Sequence, residues 1–381
     1  MVRTKFVKLR EELKPLIFER TDEVTGLLLA LLTRKHIMLV GPGGTAKSLT
    51  IRLVTNAIDG ASYWDYQFNK YSTPEDVFGP PSIKALQEGT FRRITTNRLP
   101  EAHFALADEV FEANASILNA LRKIMNERLF ENDGGNVKVP LEVLMAGTNL
   151  IPTEETLAAL YDRFLLRYKL GYIAETANFL AMLKGPKAFE GFAARVTVRM
   201  TLDEIHQAQD EAKAVTVSDS VMEAIATIRA TLAQQGVIAS DRRWNESTEV
   251  IRAKAWLQGR AEAKMDDLGV LVDILWADPQ HKGLVQSIVL EVANPLLKKA
   301  EEQHDAIQVA WSNLLKTQEE KEKVNKAVET LAKVNGALKE LEKVKREGEK
   351  DGMDMNRVDE FIRVDREIQL RIQRDFLDIQ V

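Results

Sequence analysis

Gly41-Pro42-Gly43-Gly44-Thr45-Ala46-Lys47-Ser48-Leu49 follows the apolar run His36 to Val40 and opens a stretch of helical periodicity. A strand ending in a glycine-rich loop that passes into a helix is the setting a phosphate-binding loop requires. Glycines let the backbone turn tightly and aim N–H groups at phosphate oxygens, and the helix N-terminus adds a favourable dipole. Lys47 is placed to reach the β- and γ-phosphates of ATP, and Ser48 to ligate Mg²⁺. The general pattern has glycine where Ala46 stands. A methyl group there is tolerated if the local dihedrals are right-handed helical, because only positive φ strictly favours glycine. The alternative is a glycine-rich turn without a ligand.

Working outward, Tyr63 to Phe68, His103 to Ala107, Val143 to Ala146 and Leu166 to Leu170 are further short, mostly apolar runs separated by helical patterns. Strands alternating with helices predict an α/β fold with a five-stranded parallel sheet between helices, over residues 1–170. Two runs end in chemistry. Phe104 to Ala107 leads into Asp108 and Glu109, sixty-one residues after Lys47 with a further strand between. Asp108 suits an outer contact to Mg²⁺ and its water, and Glu109 suits polarisation of an attacking water. Val143 to Thr148 ends at Asn149, which is suited to stand beside the γ-phosphate; the bland reading is an Asn that starts the loop before Pro152.

Two arginine positions remain open. Arg163, in Tyr161-Asp162-Arg163, is either a partner of a nearby carboxylate or an arginine finger entering a neighbour's site, with Arg167 as the fallback. Such a finger raises phosphoryl transfer by about 10³–10⁵. Arg242, in Ser240-Asp241-Arg242-Arg243-Trp244, starts a helix from which it can sense the γ-phosphate; a surface arginine pair is the ordinary alternative.

Composition narrows the field. The 381 residues carry 52 Lys plus Arg against 57 Asp plus Glu, a formal charge of -5, which disfavours a nucleic-acid binder. With no cysteine, thiolate chemistry and disulfides are excluded. The five histidines show no metal-ligand spacing. Gly26 to Leu32 is too short for the ~18 apolar residues of a spanning helix. Glu11 and Glu12 interrupt the place where an export signal would be apolar, so no membrane association and a cytoplasmic location are expected.

Residues 171–295 show no strand run but four amphipathic patterns, at 202–214, 219–235, 242–258 and 266–276, predicting a small all-α lid. From Lys298 to Lys350 there are 12 basic and 11 acidic residues in 53, the signature of a solvated, ion-paired helix. Val324, Ala327, Leu331, Val334, Leu338 and Leu341 keep 3-4 spacing over about three heptads. Gly348 and Gly352 then bracket an expected turn before Val358 to Phe376, so 296–381 reads as a helical hairpin.

As a set, these elements resemble AAA+ ATPases, and among them the MoxR family, over about residues 10–295. The resemblance is carried by Gly41–Ser48 with Ala before Lys, Ser72-Thr-Pro-Glu-Asp-Val-Phe-Gly79, Leu99-Pro-Glu-Ala102, Ala107-Asp-Glu109, Asn126-Glu-Arg128, Asn149 and Tyr161-Asp-Arg163. Ser240 to Trp244 and Gly259-Arg260 are similar to the regulatory ATPase variant A subgroup. The resemblance implies an AAA+ P-loop core with a helical lid and ATP at their junction. It also implies a homo-oligomer, a hexameric ring with Arg163 acting in trans. Lys47 and Ser48 then correspond to Walker A, Asp108 and Glu109 to Walker B, Asn149 to sensor 1 and Arg242 to sensor 2, with Arg243 the alternative. Gln87 to Arg93 and Glu131 to Val137 resemble two hairpins that are candidates for client contact. The subgroup's β-rich client-binding insertion has no counterpart in 297–381, so its client does not carry over. What the resemblance leaves is a protein client, through a partner bearing a von Willebrand factor A domain. The expected function is an ATP-hydrolysing, chaperone-like motor; alternatives are a nucleotide-switched scaffold and, less favoured, a DNA-directed ATPase.

Overall fold

The computed structural model describes residues 2–149, 151–152, 155–187, 189–350, 353 and 355–377. The chain divides into two compact units. The first comprises Met1–Ser218, Ile238–Ala263 and Val270–Lys282; the second comprises Asp219–Val237, Lys264–Gly269 and Gly283–Val381. The units thus cut across the linear order, each taking pieces of the 171–295 region.

The first unit is built on five parallel strands, β1 (His36–Val40), β2 (Tyr63–Gln67), β3 (Phe104–Asp108), β4 (Val143–Thr148) and β5 (Phe164–Lys169). Their spatial order is β2-β3-β4-β1-β5, and every neighbouring pair is parallel. The inner strands are mostly apolar because both faces are covered, and β1 and β4 are buried at every position. The helix Thr21–Thr33 buries the continuous run Leu27 to Leu32, which accounts for its lack of a polar face.

Glu131 to Val137 forms the expected hairpin, between strands Leu129–Asn132 and Gly135–Lys138. Its corner residues Asp133 (φ 57°) and Gly134 (φ 71°) both take the left-handed backbone that a two-residue turn of this kind demands. Gln87 to Arg93 is not a β-hairpin. Ile83–Gln87 is a short helix capped by Ser82, and the chain returns as coil, bridging Arg93 to Pro81. The two segments meet: Asp133 N–H donates to the Phe91 carbonyl (3.1 Å) and Arg93 N–H to the Asn132 side chain (2.7 Å). Between them and the helix Ala115–Glu127 lies a cleft of about 750 Å³, bordered by Phe91, Lys123, Phe130 and Asn132.

In the second unit the expected hairpin acquires a third helix. Pro295–Lys316, Glu320–Lys350 and Asn356–Phe376 share a core containing Ala300, Ile307, Leu314, Val334, Leu341, Val358 and Ile372. Of the heptad residues, Ala327, Val334, Leu338 and Leu341 are buried, whereas Val324 is 45% exposed. Gly348 lies inside the second helix, where an added Cβ would fall 2.3 Å from the Met355 Cε, so it serves packing rather than turning. Gly352 lies outside the described residues. No helix among the described residues is long and apolar enough to cross a membrane.

His36, the first residue of β1, is buried. Nδ1 accepts the Leu144 N–H (2.9 Å), while Nε2 lies 3.1 Å from the Met125 carbonyl and 2.9 Å from Arg128 Nη1. Burial, reinforced by the neighbouring Arg128 guanidinium, holds its pKa well below the ordinary 6.5. The unfolded chain therefore binds a proton that the folded chain refuses. Stability from this site is complete above pH ~6.5 and falls as pH drops toward the folded value. Urea denaturation from pH 7.5 to 5 is expected to show a decline in wild type below pH ~6.5 that is shallower in His36→Gln.

Candidate active site

Because β1, β3 and β4 run parallel, all three end at one edge of the sheet. The loop after β1 begins with Gly41 N–H bonded to the Thr148 carbonyl (2.9 Å). A Cβ at Gly41 would lie 2.5 Å from the Leu170 carbonyl, so side-chain-free backbone is required where the loop passes the end of β5. The helix starts at Lys47. Ala46 does not meet the right-handed condition: it has φ 64° and ψ 23°, the left-handed conformation. The glycine of the general pattern would hold this geometry without strain; alanine holds it at a cost of order 1 kcal/mol.

The Lys47 ammonium bonds to the Gly41 and Pro42 carbonyls and reaches Asn149 Oδ1 at 3.0 Å. Ser48 Oγ donates to Asp108 Oδ2 at 3.3 Å. These oxygens suit Mg²⁺, a hard ion usually held by one or two carboxylates together with substrate phosphates and water. Among the described residues there is no group of three or more His, Cys, Asp or Glu that could hold a metal ion. Gly147 makes room for this arrangement, since a Cβ there would lie 2.4 Å from Asp108 Oδ1.

Glu109 follows in left-handed backbone (φ 51°), anchored by its N–H to the Gly147 carbonyl (2.7 Å). Its Oε2 accepts from Thr148 Oγ1 and from Asn149 N–H, both at 3.2 Å. Lys47, Ser48, Asp108, Glu109 and Asn149 thus form one connected cluster. Thr148 and Gly147 belong to it as well. Sequence reasoning passed over them because a strand's last residues look like core.

The arginines lie elsewhere. Arg163 precedes β5, whose first residue Phe164 is in register with His36 at the start of β1. At about 3.3 Å per residue, the length of β5 puts Arg163 roughly 17 Å along the strand from its own phosphate loop. Arg243 Nε lies 2.8 Å from Asp162 Oδ1 in an ionic contact, and Ser240 Oγ donates to the same carboxylate. The start of the helix Asp241–Leu257 is therefore beside Arg163, not over the phosphate loop. Arg242 pairs with Glu246 (3.0 Å) and contacts the Asn126 side chain, whereas Arg243 is buried. Arg167 is fully buried and cannot serve as the fallback finger. It donates to the Phe164, Trp276 and Tyr161 carbonyls at 2.8–2.9 Å and stacks on the Tyr161 ring. Burial and the adjacent Arg243 pull its pKa down to about 9, so it stays charged at neutral pH.

Comparison with known proteins agrees with this geometry. Residues 4–210 match the family model described as the MoxR domain in the MoxR-vWA-beta-propeller ternary systems, and 220–289 match an AAA lid domain. The chain belongs to the MoxR family of AAA+ ATPases. A Methanocaldococcus jannaschii protein, MJ0079, is 32% identical over 94% of both chains. The chaperone MoxR1 of Mycobacterium tuberculosis is 30% identical over 42% of this chain and 43% of its own length. A solved structure from Cytophaga hutchinsonii, described as a candidate ATPase, superposes with a TM-score of 0.61 at 22% identity, covering 76% of this chain and 94% of that one. At that identity the likeness shows the AAA+ fold alone. The MoxR family has nucleotide binding in its AAA+ core, in agreement with the loop described above.

The buried Arg167 gives a direct test of the β5 end. Arg167→Leu leaves three main-chain carbonyls without their donor, and a loss of about 2 kcal/mol or more is expected. The measurement is chemical denaturation of the purified protein. A midpoint equal to wild type would show that water replaces the guanidinium.

Proposed function

We propose that this MoxR protein hydrolyses ATP with Mg²⁺ and, as a homo-oligomeric ring of hexamer type, remodels or activates a protein client. The observation that carries the reading is the polarity of the sheet. Lys47, Ser48, Asp108, Glu109 and Asn149 converge at one end of the strands, and Arg163 stands at the other end of β5.

In this mechanism the amides of residues 43–48 hold the phosphates, and Lys47 draws its charge toward the β- and γ-oxygens. Ser48 and Asp108 would hold Mg²⁺, which would supply charge compensation for the phosphates. Glu109 orients water and accepts its proton as the water oxygen bonds to the γ-phosphorus. The bond to the β,γ-bridging oxygen breaks, and ADP and phosphate leave. Asn149 aligns the water. Arg163 stabilises the transition state of a neighbouring copy, because its own loop is too far away. The Asp162–Arg243 contact sets the start of the following helix beside Arg163, so Arg242 is assigned to the same intermolecular face rather than to the chain's own nucleotide.

The proposed organisation is a core over 1–170, a lid over 171–295 and a helical appendage over 296–381. A partner with a von Willebrand factor A domain is proposed from the wording of the matched family model. The meeting of the 87–93 and 131–137 segments at a cleft supports client contact there. The acidic balance favours protein over nucleic acid.

Lys47→Ala is expected to lose nucleotide binding. Glu109→Gln should bind ATP but turn over at least about a hundredfold more slowly. Arg163→Ala should lose about a thousandfold in turnover with binding retained. Mixing Lys47→Ala with Arg163→Ala should restore part of the activity, since each supplies what the other lacks. An inactive mixture from two variants that each co-assemble with wild type would count against action in trans.

A further inference from the structure

Arg20 is buried, yet its hydrogen bonds among the described residues all go to main-chain carbonyls, one in each of three separate segments. Nε donates to Thr45 in the phosphate loop (3.4 Å), Nη1 to Glu19 in the turn before the helix Thr21–Thr33 (2.7 Å), and Nη2 to Gly171 as the chain leaves β5. The Thr45 carbonyl and the Ala46 N–H belong to one peptide unit. No cis peptide bond occurs among the described residues, so the two groups point in opposite directions and fixing one fixes the other. The unit that Arg20 grips leads directly into the left-handed residue Ala46. An alanine keeps that conformation only where its surroundings over-determine it.

We propose that Arg20 is a positioning residue for nucleotide: by holding the Thr45 carbonyl it keeps Ala46 left-handed and turns the Ala46 N–H toward the phosphates. The inference rests on the nucleotide-binding reading of Gly41–Ser48. It supplies a reason why this loop functions with alanine where the general pattern has glycine. The strain that glycine would avoid is held in place by a charged clamp from outside the motif. Glu19 braces the clamp from the other side. Its carboxylate accepts the Ala174 and Glu175 N–H groups and the Asn178 amide (2.8–3.0 Å). The Gly171 carbonyl that Arg20 also holds is thereby tied to the same turn.

The test is a double-mutant cycle between Arg20 and Ala46, read as Mg·ADP affinity by calorimetry. Arg20→Ala should weaken Mg·ADP about tenfold or more. In an Ala46→Gly background the same change should cost about threefold or less, because glycine reaches positive φ without the clamp. Steady-state ATPase should show the loss in KM, with kcat retained at saturating ATP. Arg20→Lys keeps the charge but presents its donors from one nitrogen instead of a fork that spans the three carbonyls, so it should fall between wild type and Arg20→Ala and also be relieved by Ala46→Gly. If Arg20→Ala fails to fold, the lysine variant carries the same cycle.

Undiminished affinity in Arg20→Ala, full affinity in Arg20→Lys, or an equal loss in both backgrounds would each overturn the proposal. Lys47→Ala separates this from the underlying reading. If wild type does not bind Mg·ADP, or Lys47→Ala binds as well as wild type, the nucleotide site itself is wrong. If Lys47→Ala loses binding while the Arg20 cycle shows no coupling, only the clamp is wrong.

Discussion

A parallel strand must leave its sheet at the same edge as its neighbours, and the candidate site of this protein follows from that constraint. With β1 between β4 and β5, and β3 on the far side of β4, the residues after Val40, Ala107 and Gly147 emerge side by side. A cation, a hydroxyl, two carboxylates and an amide are brought together from segments a hundred residues apart. The sheet does this without any of those side chains stabilising one another strongly. The hydrogen bonds within the cluster are mostly 3.0–3.3 Å, and the core beneath is apolar.

The opposite edge is built on different physics. There a fully buried arginine and its buried neighbour Arg243 are accommodated by main-chain carbonyls, an aromatic face and Asp162. This rigid polar knot sets where Arg163 stands. Like charges in a core are costly, and here Arg243 is offset by Asp162 while Arg167 is held by main-chain carbonyls and the Tyr161 ring. The half-buried members of the region, Arg163 and Arg242, carry the proposed chemistry between copies.

Much of this was legible in the sequence where local pattern and tertiary role coincide. Five apolar runs marked the five strands to within a few residues, because strands buried on both faces must be mostly apolar. Gly41 to Ser48 and the Asp108-Glu109 pair announced themselves by residue type and context. What escaped notice depended on partners distant in the chain. The dihedrals of Ala46 are decided by its surroundings, and no local rule foretold a left-handed alanine. Arg242 and Arg243 are adjacent letters, but only packing tells which one is buried against Asp162. Gln87 to Arg93 was expected to be a hairpin from its resemblance to one, whereas Ser82 caps a short helix there and the chain returns as coil. The helix Thr176–Lys184 was not among the expected elements, although it carries Phe179, Leu180, Met182 and Leu183; none of its residues is buried.

The strand order also governs how the chain comes into being. β1, which bears the phosphate loop, pairs only with β4 and β5, and β4 begins at Val143, about a hundred residues later. During synthesis at about 5–20 residues per second, an apolar strand waits on the order of 5–20 seconds for its first partner. Loop closure over that distance precedes any reward from pairing, so a slow nucleation step is built into the topology. A protein proposed to reshape other chains must itself pass through a stage in which the strand that bears its phosphate loop is unpaired.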